Sequence, residues 1–155
     1  MNKNKEISSS FSIQNLVRKT ILNMKSYSSA RDEFKEFETN MVFLDANENP
    51  FSNGYNRYPD PQQKAVKRVL SKLKGINEKQ MLLGNGSDEV LDLIFRAFCE
   101  PNKDSIITLP PTYGMYEVSA SINNVGVVKI PLDARFQLQT DLILTQKAKM
   151  IFLMD

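Results

Sequence analysis

Apolar residues along this chain fall into two kinds of pattern. Short, mainly apolar runs at 81–83, 105–109, 125–130 and 149–153 have the length and flanks of buried strands. Elsewhere apolar residues return every three or four positions. Ile13, Leu16, Val17, Ile21 and Met24 predict a helix over 12–24, with Ser12 as its cap. Val66, Val69, Leu70 and Leu73 form one face of a helix that starts at Pro61 and closes at Gly75. Its other side carries Lys64, Lys67, Arg68, Lys72 and Lys74 and reads as a solvated face. Residues 88–99 are apolar on most sides, so that helix is expected to be buried. Shorter helices are predicted at 116–123 and at 141–147, the second capped by Thr140. From residue 81 onward the order is β-α-β-α-β-α-β. Such alternation predicts an α/β fold, a mainly parallel sheet with helices on both faces.

The remaining stretches connect these elements. Residues 1–10 are polar and serine-rich and are expected to form a disordered tail. The charged run at 31–38 reads as solvated surface. A short apolar run at 41–44 leads into Asp45-Ala46-Asn47-Glu48-Asn49-Pro50, whose residue types favour a turn. Residues 51–61 are loop, since Asn53-Gly54 is a turn signal and Pro59 and Pro61 exclude regular helix.

Composition narrows the chemistry. With 41% hydrophobic and 25% charged residues, the chain has the make-up of a soluble globular protein. A net charge of +2 gives no ground for nucleic acid or an anionic membrane as partner. No apolar run reaches transmembrane length, and the first six residues lack the apolar core of a signal peptide. A single cysteine, Cys99, cannot form an internal disulfide and is expected to be a small buried hydrophobe, which suits a cytoplasmic location. With no histidine and one cysteine, neither a histidine triad nor a zinc site is expected within the chain, and no metal is assigned.

Two stretches carry candidate chemistry. Met81-Leu82-Leu83-Gly84-Asn85-Gly86-Ser87-Asp88-Glu89-Val90 reads as strand, glycine turn and helix start, with Ser87 or Asp88 as N-cap. A helix N-terminus with free amides and a hydroxyl suits a phosphate. The same turn also serves as a plain βα connection. The second stretch, Pro110-Pro111-Thr112-Tyr113-Gly114-Met115-Tyr116, follows the strand at 105–109. In open α/β sheets ligands sit at the C-terminal ends of strands. An anion-binding turn and an aromatic loop therefore fall on one side of the sheet, an arrangement suited to a phosphorylated aromatic cofactor.

Gly86-Ser87-Asp88-Glu89, Arg96-Ala97-Phe98-Cys99-Glu100-Pro101 and the Pro110–Tyr116 loop resemble the fold-type I aminotransferases that use pyridoxal 5'-phosphate. Asn47-Glu48-Asn49-Pro50 and Asn56-Arg57-Tyr58-Pro59 extend the resemblance, which is strongest to the histidinol-phosphate aminotransferases and runs from about residue 11 to 153. After the disordered tail expected at 1–10 from its composition, it implies an N-terminal arm with substrate and dimer loops at 11–60, and the first part of the large cofactor-binding domain at 61–155. It also implies that Gly86, Ser87 and Asp88 hold the cofactor phosphate, that Tyr113 lies on or beside the ring, and that Tyr58 reaches the phosphate of the neighbouring subunit in a homodimer. Tyr27, in Tyr27-Ser28-Ser29-Ala30-Arg31, would cover the substrate, although Ser26 stands where the family commonly has proline. Asn47 and Glu48 would line the substrate pocket, the carboxylate accepting from an imidazole or amine. The reaction implied passes an amino group from glutamate to imidazole-acetol phosphate, yielding histidinol phosphate and 2-oxoglutarate in histidine biosynthesis. A threonine-phosphate decarboxylase, an aromatic aminotransferase and a non-catalytic remnant are the alternatives.

The family pattern goes on to a Pro-Asn-Asn-Pro loop, a pyridine-pairing aspartate and a Schiff-base lysine, none of which has a counterpart here, so the catalytic residue set is empty and the chain reads as an N-terminal portion. These 155 residues alone are expected to show no transaminase activity. Release of 2-oxoglutarate from glutamate, imidazole-acetol phosphate and pyridoxal phosphate should stay at the free-cofactor background. Turnover above it would contradict the expectation.

Overall fold

Ile106 and Ile107 stand side by side, and on an extended backbone they must point to opposite faces. A strand carrying both needs cover on both sides. The computed structural model describes residues 12–28 and 42–154 and supplies that cover. Strand β1 (Ser105–Thr108) lies between β2 (Gly126–Lys129) and β3 (Met150–Ile151), and both neighbours run parallel to it. The helices among the described residues are α1 (Lys19–Leu22), α2 (Lys64–Lys74), α3 (Ser87–Phe98), α4 (Met115–Ile122) and α5 (Thr140–Thr145).

The register of the strands builds two cores. Ile106 lies opposite Val127 and Met150, and this face packs with Phe95 and Cys99 from the α3 side and with Ala120 and Val125 from the α4 side. Ile107 lies opposite Val128 and Ile151, and its face packs with Leu109, Ile130 and Ile143 of α5. Phe95, Ile106 and Ile107 are fully buried, each contributing about 1.5–3 kcal/mol of transfer free energy. The expected parallel sheet with helices on both faces is therefore present, in the strand order β2-β1-β3.

The chain forms two compact units, Met1–Met24 with Gly84–Asp155, and Lys25–Leu83. The first holds the sheet. The second holds α2, closed by Gly75 in the left-handed region (φ 65°), as the sequence predicts. The tail at 1–10, the charged run at 31–38, and Ala30 and Arg31 of the tyrosine motif lie outside the described residues.

Several elements differ from expectation, each for a local reason. Residues 81–83 form no strand: Met81 is extended, but none of the three residues joins the β2-β1-β3 ladder. The helix expected over 12–24 is broken into a 3-10 turn (Ile13–Asn15) and α1, because Arg18 is extended (φ −56°, ψ 137°). Tertiary bonds hold it so. The Arg18 amide donates to the Ala97 carbonyl (2.9 Å), and its guanidinium donates to the Arg96 carbonyl (2.9 Å) and to Glu100 (3.1 Å). A cation there also complements the negative end of the α3 dipole. Ser12 makes no capping bond and instead donates to Gln14. Helix α2 starts at Lys64 rather than Pro61, because the Asp60 carboxylate accepts from the amides of Gln62 and Lys64 and makes 60–63 a turn. Those two amides also hold the Asp60 carboxyl below its ordinary range. Thr140 is the first residue of α5 rather than its cap.

Cys99 is buried, as the sequence suggests, and burial pushes its thiol up to about 11. At pH 8 the thiol is therefore both shielded and protonated, and reaction with an aromatic disulfide reagent should be slow in the native chain and prompt in denaturant. Equal rates in both conditions would show that this core is not formed.

Candidate functional site

The turn into α3 depends on two glycines. Gly86 has φ 85° and ψ 167°, a region open in practice to glycine alone. Gly84 has a different constraint: an added Cβ would meet Glu89 Oε2 and Val90 Cγ2 at 2.9 Å. Gly86 is the N-cap, so Ser87 and Asp88, each expected as a possible cap, are the first and second residues of the helix. First-turn amides have no acceptor within an α-helix and carry the positive end of its dipole. The Glu89 side chain turns back and accepts from the Asn85 amide. Ser87 thus presents its hydroxyl beside a set of outward-facing amides.

Tyr113 closes the other side. Its hydroxyl donates to the Asp88 carboxylate at 3.1 Å, and this bond, ahead of desolvation, raises the phenol above its ordinary value. The phenol therefore remains a protonated donor at neutral pH. Its ring meets Tyr116 edge-on (centroids 5.7 Å apart), Tyr116 stacks on Phe152 (4.5 Å), and Phe152 stacks on the buried Phe95 (5.4 Å). A row of four aromatic rings thus ties the loop after β1 to the core. An open hollow of about 590 Å³ lies here, lined by Ser87, Val90, Leu91, Tyr113, Tyr116 and Met154. Its walls are mostly apolar, with one hydroxyl at the helix start. Near the same end of β1 the hydroxyls of Thr108 and Thr112 are buried without a partner among the described residues. Among the described residues no cluster of three or more metal-ligating side chains occurs, and no helix is long and apolar enough to cross a membrane.

The remaining predicted residues belong to the unit Lys25–Leu83. Tyr27 and Tyr58 are exposed, at 91% and 65% of their surface. Asn47 is also exposed. Glu48 is different: its side chain is 3% exposed, one oxygen accepts from Arg57 Nη1 at 2.8 Å and the other from the Tyr58 amide at 2.6 Å. The structure therefore brings Gly86, Ser87, Asp88 and Tyr113 together in one unit, and Glu48 and Tyr58 together in the other. Sequence reasoning gave no role to Tyr116, Arg57 or Met154. The i, i+3 spacing of Tyr113 and Tyr116 on entry to α4 was a usable signal for the first. Met154 reaches the hollow only because β3 runs beside β1, which no local pattern reveals.

Comparison with known proteins adds the following. The profile of the aminotransferase class I and II family matches residues 28–153. The histidinol-phosphate aminotransferase of Flavobacterium psychrophilum is 64% identical over 146 residues, covering 92% of this chain and 42% of that protein. The enzyme of the same name from Flavobacterium johnsoniae is 59% identical over 147 residues, again covering 92% and 42%. A crystal structure from Burkholderia pseudomallei K96243, assigned as an aminotransferase, superposes with a TM-score of 0.50 at 22% identity, covering 68% of this chain and 36% of that one. It shares the fold. The chain spans about two fifths of the length of the curated relatives it matches.

Proposed function

This chain belongs to the aminotransferase class I and II family, and from that premise we propose that it provides the phosphate- and ring-binding part of a histidinol-phosphate aminotransferase. The observation that carries the proposal is the 64% identity to a relative of that name over 92% of this chain. Relatives sharing one name also favour this reading over a threonine-phosphate decarboxylase, an aromatic aminotransferase or a non-catalytic remnant. The substrates are then glutamate and imidazole-acetol phosphate, in a cytoplasmic homodimer.

The residues present fit pyridoxal phosphate. The hollow offers an aromatic wall for a flat ring and, at its rim, a helix N-terminus with the Ser87 hydroxyl for a dianion. When bound, the cofactor supplies the electron sink for amino-group transfer. The amides of Ser87 and Asp88 and the Ser87 hydroxyl hold the phosphate. The Asp88 carboxylate accepts from Tyr113, which ties Tyr113 to the turn whose amides are the donors to the phosphate. Tyr113 orients the ring, and Val90, Leu91 and Met154 limit water beside it. Tyr58 supplies a hydroxyl to the phosphate in the neighbouring subunit, and Tyr27, Asn47 and the backbone around Glu48 border the substrate.

The test uses residues 1–153 joined to the C-terminal part of the F. psychrophilum relative. Losing one hydrogen bond to a charged group costs about 1.5–3 kcal/mol, roughly a tenfold to hundredfold loss of affinity. Ser87→Ala should accelerate cofactor dissociation on dilution within that range, and Tyr58→Phe should do the same only in the dimer. Retention equal to the parent in Ser87→Ala would mean that the turn is a βα connection and nothing more.

A further inference from the structure

The segments 47–50 and 56–59 are separate in sequence, and each resembles its own part of a binding site. The structure joins them. The Asn56 side-chain amide donates to the Asn49 carbonyl at 3.0 Å. The Asn49 and Asn53 side chains accept from the amides of Phe51 and Tyr55, each at 2.9 Å, and so fold the loop between the segments on itself. At the base of the loop both Glu48 oxygens are used, one on the Arg57 guanidinium and one on the Tyr58 amide. Arg57 also lies over the Phe43 ring, 5.3 Å from its centroid.

We infer that Glu48 is a positioning residue whose carboxylate locks the segment bearing Asn47 to the segment bearing Tyr58. A carboxylate shielded from water is costly unless its oxygens are hydrogen-bonded, and here a guanidinium and an amide bond them. A substrate imidazole or amine would have to share these oxygens with the guanidinium and the amide, on a side chain only 3% exposed. The lock sits next to Tyr58: it holds the amide of the very residue whose hydroxyl is offered to the phosphate. Glu48 thereby acts through Tyr58 rather than on the substrate. This role in catalysis rests on the proposed function of Tyr58, but the lock itself does not.

Trypsin provides the test, because Arg57–Tyr58 is a cleavable bond. Cleavage of a transiently open segment follows the population of the open form. In the 155-residue chain without cofactor, Glu48→Ala should accelerate cleavage at Arg57–Tyr58 about tenfold or more, the ratio expected for losing a hydrogen bond to a charged group, and leave cleavage at Arg96–Ala97 in α3 unchanged. Glu48→Gln, which keeps one acceptor and the shape, should give a smaller increase at the same bond and lower the protection of the Tyr58 amide in hydrogen exchange. If Glu48→Gln leaves both cleavage and exchange at the parent's values, the lock is refuted. An equal rise at Arg96–Ala97 refutes it too, since the effect is then general loosening. No cofactor enters these measurements, so failure of the lock is distinguishable from failure of the Tyr58 reading, which Tyr58→Phe tests.

Discussion

Space at the start of α3 governs what this chain can bind. The backbone at Gly86 takes a conformation that side chains exclude, and at Gly84 it passes so close to the Glu89 and Val90 side chains that a Cβ would force them to shift. Together the two glycines turn the chain so that α3 begins at Ser87, with its first amides facing outward. Everything else in the site is placed relative to that turn. Tyr113 is held to it by the Asp88 carboxylate, and the aromatic row from Tyr113 to Phe95 fixes the loop after β1 against the same helix.

The helix serves as a strut between two ends. At its N-terminus, Asp88 and Glu89 complement the positive end of the dipole while their carboxylates accept from Tyr113 and Asn85. At its C-terminus Arg18 donates to carbonyls of the last turn. Asp92 in the middle accepts from Asn123 at the end of α4, and this bond, with Arg96, holds its carboxyl below the usual range. The helix is thus tied at its start, middle and end, and its buried face is anchored by Phe95. Such tethering keeps the turn in one geometry before any ligand arrives, which lowers the ordering cost of binding.

The parallel sheet was legible because Ile106-Ile107 and Val127-Val128 are unbroken apolar pairs, and only a sheet covered on both faces accommodates them. Gly84 and Gly86 were legible for the same kind of reason: local geometry restricts those positions. The failures share another cause. Residues 12–24 have helical spacing, yet a long-range bond from Arg18 to Ala97 interrupts the helix, and nothing near Arg18 in sequence signals that partner. Residues 81–83 are apolar enough for a strand, but they pair with none of the three strands β2-β1-β3. The bonds from Arg57 and Tyr58 to Glu48, nine and ten residues back, likewise carry no local signal. Local spacing therefore conveyed the elements and the turn, and tertiary hydrogen bonds decided where they break and which carboxylates are occupied.

The central claim is that the amides at the start of α3 hold the cofactor phosphate. Backbone amide resonances followed during titration with pyridoxal phosphate, and separately with pyridoxal lacking the phosphate, test it most directly. The account predicts that the amides of Ser87 and Asp88 shift with pyridoxal phosphate, that inorganic phosphate competes for the same resonances, and that pyridoxal alone leaves them nearly in place. Unchanged Ser87 and Asp88 amides at a concentration where the phosphate ester shifts resonances elsewhere in the chain would contradict it.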